Sequence, residues 1–414
     1  MRRATVVNFS APELNQLALH LAQEGRLDRF VRPYLNKGRR WERLLGGVPG
    51  LGGAYARTFG RRTLPSRALV RRAEEAGVIP DIAGALVGRL SWLPATWRGA
   101  ALHVLQERQR RAVRDAGPPS ARNASDVVAY PGCGGPAFAA AHRWGARAFL
   151  SYPIAHHRHH LKVRVEEVER APSFASTWLP PPFTPDYLAE LDAEIESSDR
   201  IVLGSRYAAR TFVSEGVAAE RLHVIPYGFD PSVFDAAPNV GEERPFKVVF
   251  AGQLSQRKGL SYLLDGYRRF RREDSRLLLI GAMVGDPAPL LPYRGIFDHI
   301  PHLTRPALAD TLRGCHAFVF PTLLEGMPLV ICEAMACGLP IIATANGPDE
   351  LVRDGVDGFL VPERDPEAIA ERLELLYRDS TLRQQMAFNA RERALQFSWR
   401  RFCERFVELL DSEL

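Results

Sequence analysis

Phe320-Pro-Thr-Leu-Leu-Glu325-Gly326-Met-Pro328-Leu329-Val-Ile-Cys-Glu333-Ala-Met-Ala-Cys-Gly338 reads as strand, loop and helix in direct succession. Pro328 falls near the first helical position and Gly338 just past the last, the usual placement of these two residue types. Backbone N–H groups around Gly326, Met327, Pro328 and Leu329 would then face out of the helix start toward an anion, and a phosphate suits that place. Glu333 lies inside an otherwise apolar helical run (Leu329, Val330, Ile331, Ala334, Met335, Ala336). An unpaired carboxylate there would cost several kcal/mol. It requires a partner, either a pair of sugar or ribose hydroxyls or an internal arginine.

Outward from this stretch, short β-branched or aromatic runs alternate with helical segments from Phe246 onward: Phe246-Lys-Val-Val-Phe250, Leu277-Leu-Leu-Ile280, Ala317-Phe-Val-Phe320, Pro340-Ile-Ile-Ala343 and Gly358-Phe-Leu-Val361. That alternation predicts a doubly wound parallel sheet, whose ligands lie beyond the carboxyl ends of the strands. One such strand end is Ala251-Gly252-Gln-Leu-Ser-Gln-Arg257-Lys258-Gly259. Glycine lets backbone come close, and Arg257 with Lys258 offers a fork and a point charge for a diphosphate. The lysine precedes its glycine and no Ser or Thr follows, so this is not the phosphate loop of a magnesium NTPase.

The N-terminal half predicts a second Rossmann-like unit, with strands at Thr5-Val-Val-Asn-Phe9, Asp126-Val-Val-Ala-Tyr130 and Ala148-Phe-Leu-Ser-Tyr152. Ile201-Val-Leu-Gly204 and His223-Val-Ile-Pro226 would close it. Residues 39–99, rich in Arg, Gly and Pro with Trp41, Trp92 and Trp97, read as a helical insertion without a strand ladder. The expected divisions are an N-terminal domain at 1–228, a C-terminal domain at 229–396 and a final helix at 397–414. That helix carries Phe397, Trp399, Phe402, Phe406 and Leu409 at helical spacing.

A chain of 414 residues suits two domains and hence a cleft. No run approaches the length of a membrane span. The apolar stretch before Asn8 is too short for a signal peptide, and five cysteines without C-x-x-C spacing argue against a disulfide framework or structural zinc. A cytoplasmic location is expected. Residues 1–120 hold 21 Lys and Arg against nine Asp and Glu, although the whole chain carries only +6. That basic third, with Arg39, Arg40, Arg61, Arg62, Arg71 and Arg72 among tryptophans, could lie against anionic headgroups at the inner face of a membrane. His156, His157, His159 and His160 form a group that reads as a solvated basic loop and not a metal cluster, because no outlying carboxylate or thiol accompanies it.

The combination of Gly252 with Arg257-Lys258-Gly259, the Glu325-x7-Glu333 spacing, Gly338-Leu-Pro340-Ile-Ile-Ala-Thr and Gly355-x-x-Gly358-Phe-Leu-Val resembles glycosyltransferase family four. So does Val202-Leu-Gly-Ser205-Arg-Tyr through Val224-Ile-Pro-Tyr-Gly-Phe-Asp230, and the likeness covers roughly residues 195–375. The resemblance implies the GT-B fold, two Rossmann-like doubly wound domains facing a central cleft, and retaining transfer of a sugar from a nucleotide-diphosphate donor to an acceptor hydroxyl. It implies that Glu325 contacts the sugar and Glu333 the ribose, while Arg257 and Lys258 hold the diphosphate beside Gly252 and the amides from Gly326 to Leu329. His156 stands where the family often places a donor-facing histidine. It implies no metal and no cofactor beyond the nucleotide-sugar co-substrate, and the sequence holds no Asp-x-Asp triplet. A glycan or lipid-linked acceptor is the expected partner, with no nucleic acid. The place of the family's Gly-Gly loop is taken by Asn8-Phe9-Ser10-Ala11-Pro12, with Asn15 at the next helix start. Alternatives are a sugar-nucleotide epimerase and a non-catalytic sugar-nucleotide or polyanion binder; a dehydrogenase is disfavoured because neither half has a G-x-G-x-x-G turn.

Overall fold

The protein is described by a computed structural model, which covers residues 2–35, 37, 44, 64, 66–88, 95–118, 125–178, 183–234 and 245–413. The chain forms two compact units. One comprises Met1–Tyr152, Pro182–Val202 and Arg405–Leu414; the other comprises Pro153–Pro181 and Leu203–Glu404. Against the division expected near residue 228, the helix His157–Arg170 and the turn Pro172–Thr177 thus fall in the second unit.

The first sheet takes strands β1 (Ala4–Val7), β2 (Leu27–Arg32), β3 (Ala73–Glu75), β4 (Asp126–Ala129), β5 (Ala148–Tyr152), β6 (Arg200–Leu203) and β7 (Leu222–Val224), in the order β3-β2-β1-β4-β5-β6-β7. The second takes β8 (Phe246–Ala251), β9 (Ser275–Ile280), β10 (Phe297–Ile300), β11 (Ala317–Phe320), β12 (Ile341–Ala343) and β13 (Gly358–Leu360), in the order β10-β9-β8-β11-β12-β13. Its five pairings are all parallel. In both sheets the chain winds outward one way from the first strand and then the other, so a topological switch point opens between β1 and β4 and again between β8 and β11.

The central strands are apolar on both faces because helices cover both: Val6, Val7, Val127, Val128, Phe149 and Leu150 are fully buried, as are Val248, Val249, Phe318 and Val319. Residues 39–99 hold a strand after all, a correction to the expected ladder-free insertion: β3 pairs with β2 through Phe30–Ala73. Its three residues, Ala73-Glu74-Glu75, form an edge and lack the apolar run that marks a buried strand. Trp41 and Trp92, with Arg39, Arg40, Arg61 and Arg62, lie outside the described residues.

The terminal helix Trp399–Asp411 begins in the second unit, where the Trp399 and Tyr227 rings stack with centroids 6.5 Å apart. Its last residues belong to the first unit. There Arg26 holds Asp411 at 2.7 Å and Phe406 packs beside Phe149. Among the described residues no helix is long and apolar enough to cross a membrane.

Candidate active site

Because β8 and β11 are neighbours at the switch point, the loops that follow them run side by side. The first loop ends in a short turn, Gln256–Lys258, stopped by Gly259 in the left-handed region (φ 71°). A Cβ on Gly259 would come within 1.9 Å of the Pro321 carbonyl oxygen, so only glycine permits this contact between the two loops. The Leu323 N–H donates to the Arg257 carbonyl (2.9 Å), and the Arg257 guanidinium donates to the Leu324 carbonyl (2.8 Å).

This zipper brings three of the expected site residues to one point. Arg257 Nη1 lies 2.5 Å from Glu325 Oε1, and Lys258 Nζ bonds the same oxygen. Lys258 and Glu325 are each only 9% exposed, so the cluster sits in low dielectric, where ion pairs are strong and unpaired charge is costly. The ammonium also stands 4.7 Å from the Phe320 ring centroid. Burial pushes Lys258 down to about 8, partly opposed by Glu325. Burial would raise Glu325, but Arg257 and Lys258 outweigh it and hold the carboxyl below its ordinary range. Two cations thus share one carboxylate and leave one positive charge uncompensated within the trio.

Beyond Glu325, Gly326 is pressed against another segment: a Cβ there would lie 1.9 Å from the Pro153 carbonyl oxygen, and Ser205 Oγ donates to the Gly326 carbonyl (2.5 Å). Met327 is buried, its sulfur accepting the Tyr227 N–H. The helix is Leu329–Ala336, with Pro328 as its N-cap. Pro328 has no N–H, so of the four residues from Gly326 to Leu329 it cannot serve as an amide donor. The first donor bonded back to the cap is Ile331, to the Pro328 carbonyl. The amides of Leu329 and Val330 precede it, and both residues are half-buried. Gly252 adopts φ 148° just after β8.

Glu333 has an internal partner: Arg305 Nη2 is 2.8 Å from its Oε1. Burial raises the carboxyl, with Arg305 opposing. Of the two partners weighed from the sequence, the arginine is present, 28 residues upstream with no motif to announce it.

The histidine group is a helix and not a solvated loop, a correction that follows from His156 capping His157–Arg170. His156 Nδ1 accepts the Arg158 N–H, the ring stacks on His157 at 4.3 Å, and the residue is 3% exposed. His160 is nearer the charged trio in its electrostatics: burial and then Arg257 push it down to about 4, so it is neutral and accepts from Trp178 Nε1 (3.3 Å). Trp178, Tyr207, Leu323 and Leu324 form the apolar packing here.

In the first unit, Asn15 Oδ1 accepts from Asn8 (3.0 Å) and from Arg32 (3.0 Å), so its carboxamide oxygen is engaged internally. The glycine turn after β4 surrounds a carboxylate of its own unit: Glu194 accepts the N–H groups of Gly132 (2.6 Å), Gly134 (2.6 Å) and Gly135 (3.0 Å).

Two strand sheets wound in this order define a GT-B fold, and solved structures agree over the whole length. Sucrose-phosphate synthase from Thermosynechococcus elongatus superposes with a TM-score of 0.66 at 17% identity, covering 99% of this chain and 98% of that one. HepE of Anabaena, solved in complex with UDP and glucose, superposes with a TM-score of 0.64 at 17% identity and full coverage of both chains. Within that fold, residues 245–379 match the family Glycosyl transferases group 1. The D-inositol 3-phosphate glycosyltransferase of Jonesia denitrificans is 28% identical over 286 residues, 62% of this chain and 65% of that protein. The match spans about 55 to 65% of the length of such curated relatives.

Proposed function

We propose that this protein is a retaining glycosyltransferase that uses a nucleotide-diphosphate sugar and needs no metal. The observation that carries the reading is the buried trio of Arg257, Lys258 and Glu325 beside the start of the helix Leu329–Ala336. Cations and helix-start amides stabilise charge that grows on a departing diphosphate, and each such group is commonly worth roughly 3 kcal/mol in a transition state. In this reading the diphosphate takes over Arg257 and Lys258, which frees the Glu325 carboxylate to accept sugar hydroxyls. The acceptor hydroxyl attacks the anomeric carbon from the face the nucleotide leaves, and a donor phosphate oxygen takes its proton. No enzymic nucleophile is required. His156, capping a helix in a buried place, serves the reading as a support and not as a proton carrier. Glu333 reaches ribose only by sharing its carboxylate with Arg305, whose side chain is more than half exposed.

The acceptor in this proposal is a glycan or lipid-linked hydroxyl, met at the inner face of a membrane. In support, Ile79, Leu86, Trp97 and Val104 stand 50 to 81% exposed on the helices Val78–Val87 and Ala95–Ala116. Arg71, Arg108 and Arg111 are exposed in the same stretch of chain. Sedimentation with anionic vesicles at low salt should carry the protein down, and protein left in the supernatant would remove the membrane from the proposal.

The deciding experiment is a thermal-shift screen with UDP-, GDP- and ADP-sugars in EDTA, followed by nuclear magnetic resonance of the product anomer. One donor should raise the melting temperature by mass action, and its sugar should be transferred with the anomeric configuration kept. Binding without turnover over an acceptor panel would favour a non-catalytic binder, and an inverted product would overturn the retaining mechanism.

A further inference from the structure

Arg364 is the one non-glycine residue with positive φ among the described residues (62°), in the segment between β13 and the helix Pro366–Arg378. A side-chain-bearing residue adopts this region unfavourably and persists there only where its surroundings demand it. Here the side chain supplies the demand. Its Nε donates to Glu167 Oε2 (2.9 Å), while its Nη1 pairs with Glu363 (2.5 Å). Glu167 is 1% exposed, and its other oxygen accepts from Gln256 Nε2 (2.7 Å) and from the Tyr262 hydroxyl (2.8 Å). Gln256 is the residue directly before Arg257. Its own N–H donates to Thr177 Oγ1 (2.9 Å), and its side chain also holds Ser261, donating to the hydroxyl (2.6 Å) and accepting the N–H (3.1 Å).

The turn that carries Arg257 and Lys258 is therefore held from two sides. On one, the two cations grip Glu325; on the other, Gln256 is tied through a single buried carboxylate to Arg364. The first hold is the one a diphosphate must replace, since it consumes the same cations. The second involves no group that would touch the anion, and it stays intact when the first is exchanged. We propose that Arg364 is a positioning residue that, through Glu167 and Gln256, fixes the Arg257–Lys258 turn for a nucleoside diphosphate. The proposal rests on the nucleotide-sugar reading above. The left-handed backbone at Arg364 is what brings the guanidinium to Glu167, so glycine would keep the backbone and remove the strut, together with the ion pairs to the more exposed Glu363 and Glu166.

The test is calorimetric titration of the full chain with UDP, GDP and ADP, for the natural protein, Arg364→Gly, Arg364→Lys and Gln256→Ala. The natural protein should bind at least one of the three. Arg364→Gly should bind it tenfold or more weakly, because a misplaced charge pair loses much of its effect. Arg364→Lys should recover part of that loss, and the melting temperatures should differ by a few degrees at most. Gln256→Ala leaves the Glu167–Arg364 pair in place and should show the same weakening, so it decides the matter if Arg364→Gly does not fold. If the natural protein binds and these variants bind within twofold of it, the strut is overturned while the nucleotide reading stands. If the natural protein binds none of the three, both fall.

Discussion

Lys258 is the residue on which charge and burial pull hardest against each other. Burial lowers it from 10.5 to about 8, so it remains mostly protonated at neutral pH. Between those two values the unfolded chain binds more protons than the folded one, and the folded protein gains stability from this group as pH rises from 8 to 10.5. In the proposed function anion binding has the opposite slope, because it draws on the ammonium. Affinity for a nucleoside diphosphate should hold up to about pH 8 and then fall by up to tenfold per pH unit, with a proton taken up on binding. Calorimetry at several pH values, in buffers of different ionisation heat, measures both; an affinity flat from pH 7 to 9.5 would take Lys258 out of the contact. His160 cannot produce such a profile, since burial and Arg257 hold it near 4.

At the level of elements, the site depends on two loops touching where a Cβ would not fit. Gly259→Ala would both force a left-handed alanine and drive its methyl into the Pro321 carbonyl. The backbone part alone costs roughly 1–2 kcal/mol, and the clash adds to it. Urea denaturation should show a loss of at least that size, and unchanged stability would mean that the loops are not locked by this contact. The glycine was visible in the sequence as part of Arg257-Lys258-Gly259, where this residue type lets backbone come close. Its packing partner was not, because Pro321 follows a different strand and nothing local links the two. The same distinction separates Glu333 from Arg305. The need for a partner follows from one apolar helix, whereas the partner comes from the start of another, Arg305–Arg313. Glu167 gave no signal at all: a glutamate in a charged helix reads as solvated until three donors from elsewhere surround it.

For the whole molecule, the strands with largely apolar runs, β8, β11 and β5, were legible almost to the residue, because burial on both faces leaves its mark on nearly every position. β2, with Asp28, Arg29 and Arg32 in its six residues, and β10, with Asp298 and His299 in four, were not legible. Both lie away from the switch points, at positions where polar side chains reach solvent or local partners such as the Glu74 that pairs with Arg29. The alternation of these runs with helices predicted a doubly wound parallel sheet but no particular strand order, and the order observed places the loops after β8 and β11 together. The proposed function therefore requires the trio assembled there to exchange its internal carboxylate for a diphosphate. Titration calorimetry of the natural protein, Lys258→Ala and Glu325→Gln with the nucleoside diphosphate of its donor tests it directly. Lys258→Ala should lose about a hundredfold in affinity, while Glu325→Gln, which removes the competing carboxylate, should bind the nucleotide as tightly as the natural protein or more so. Equal affinity in Lys258→Ala, or a loss in Glu325→Gln as deep as in Lys258→Ala, would contradict it.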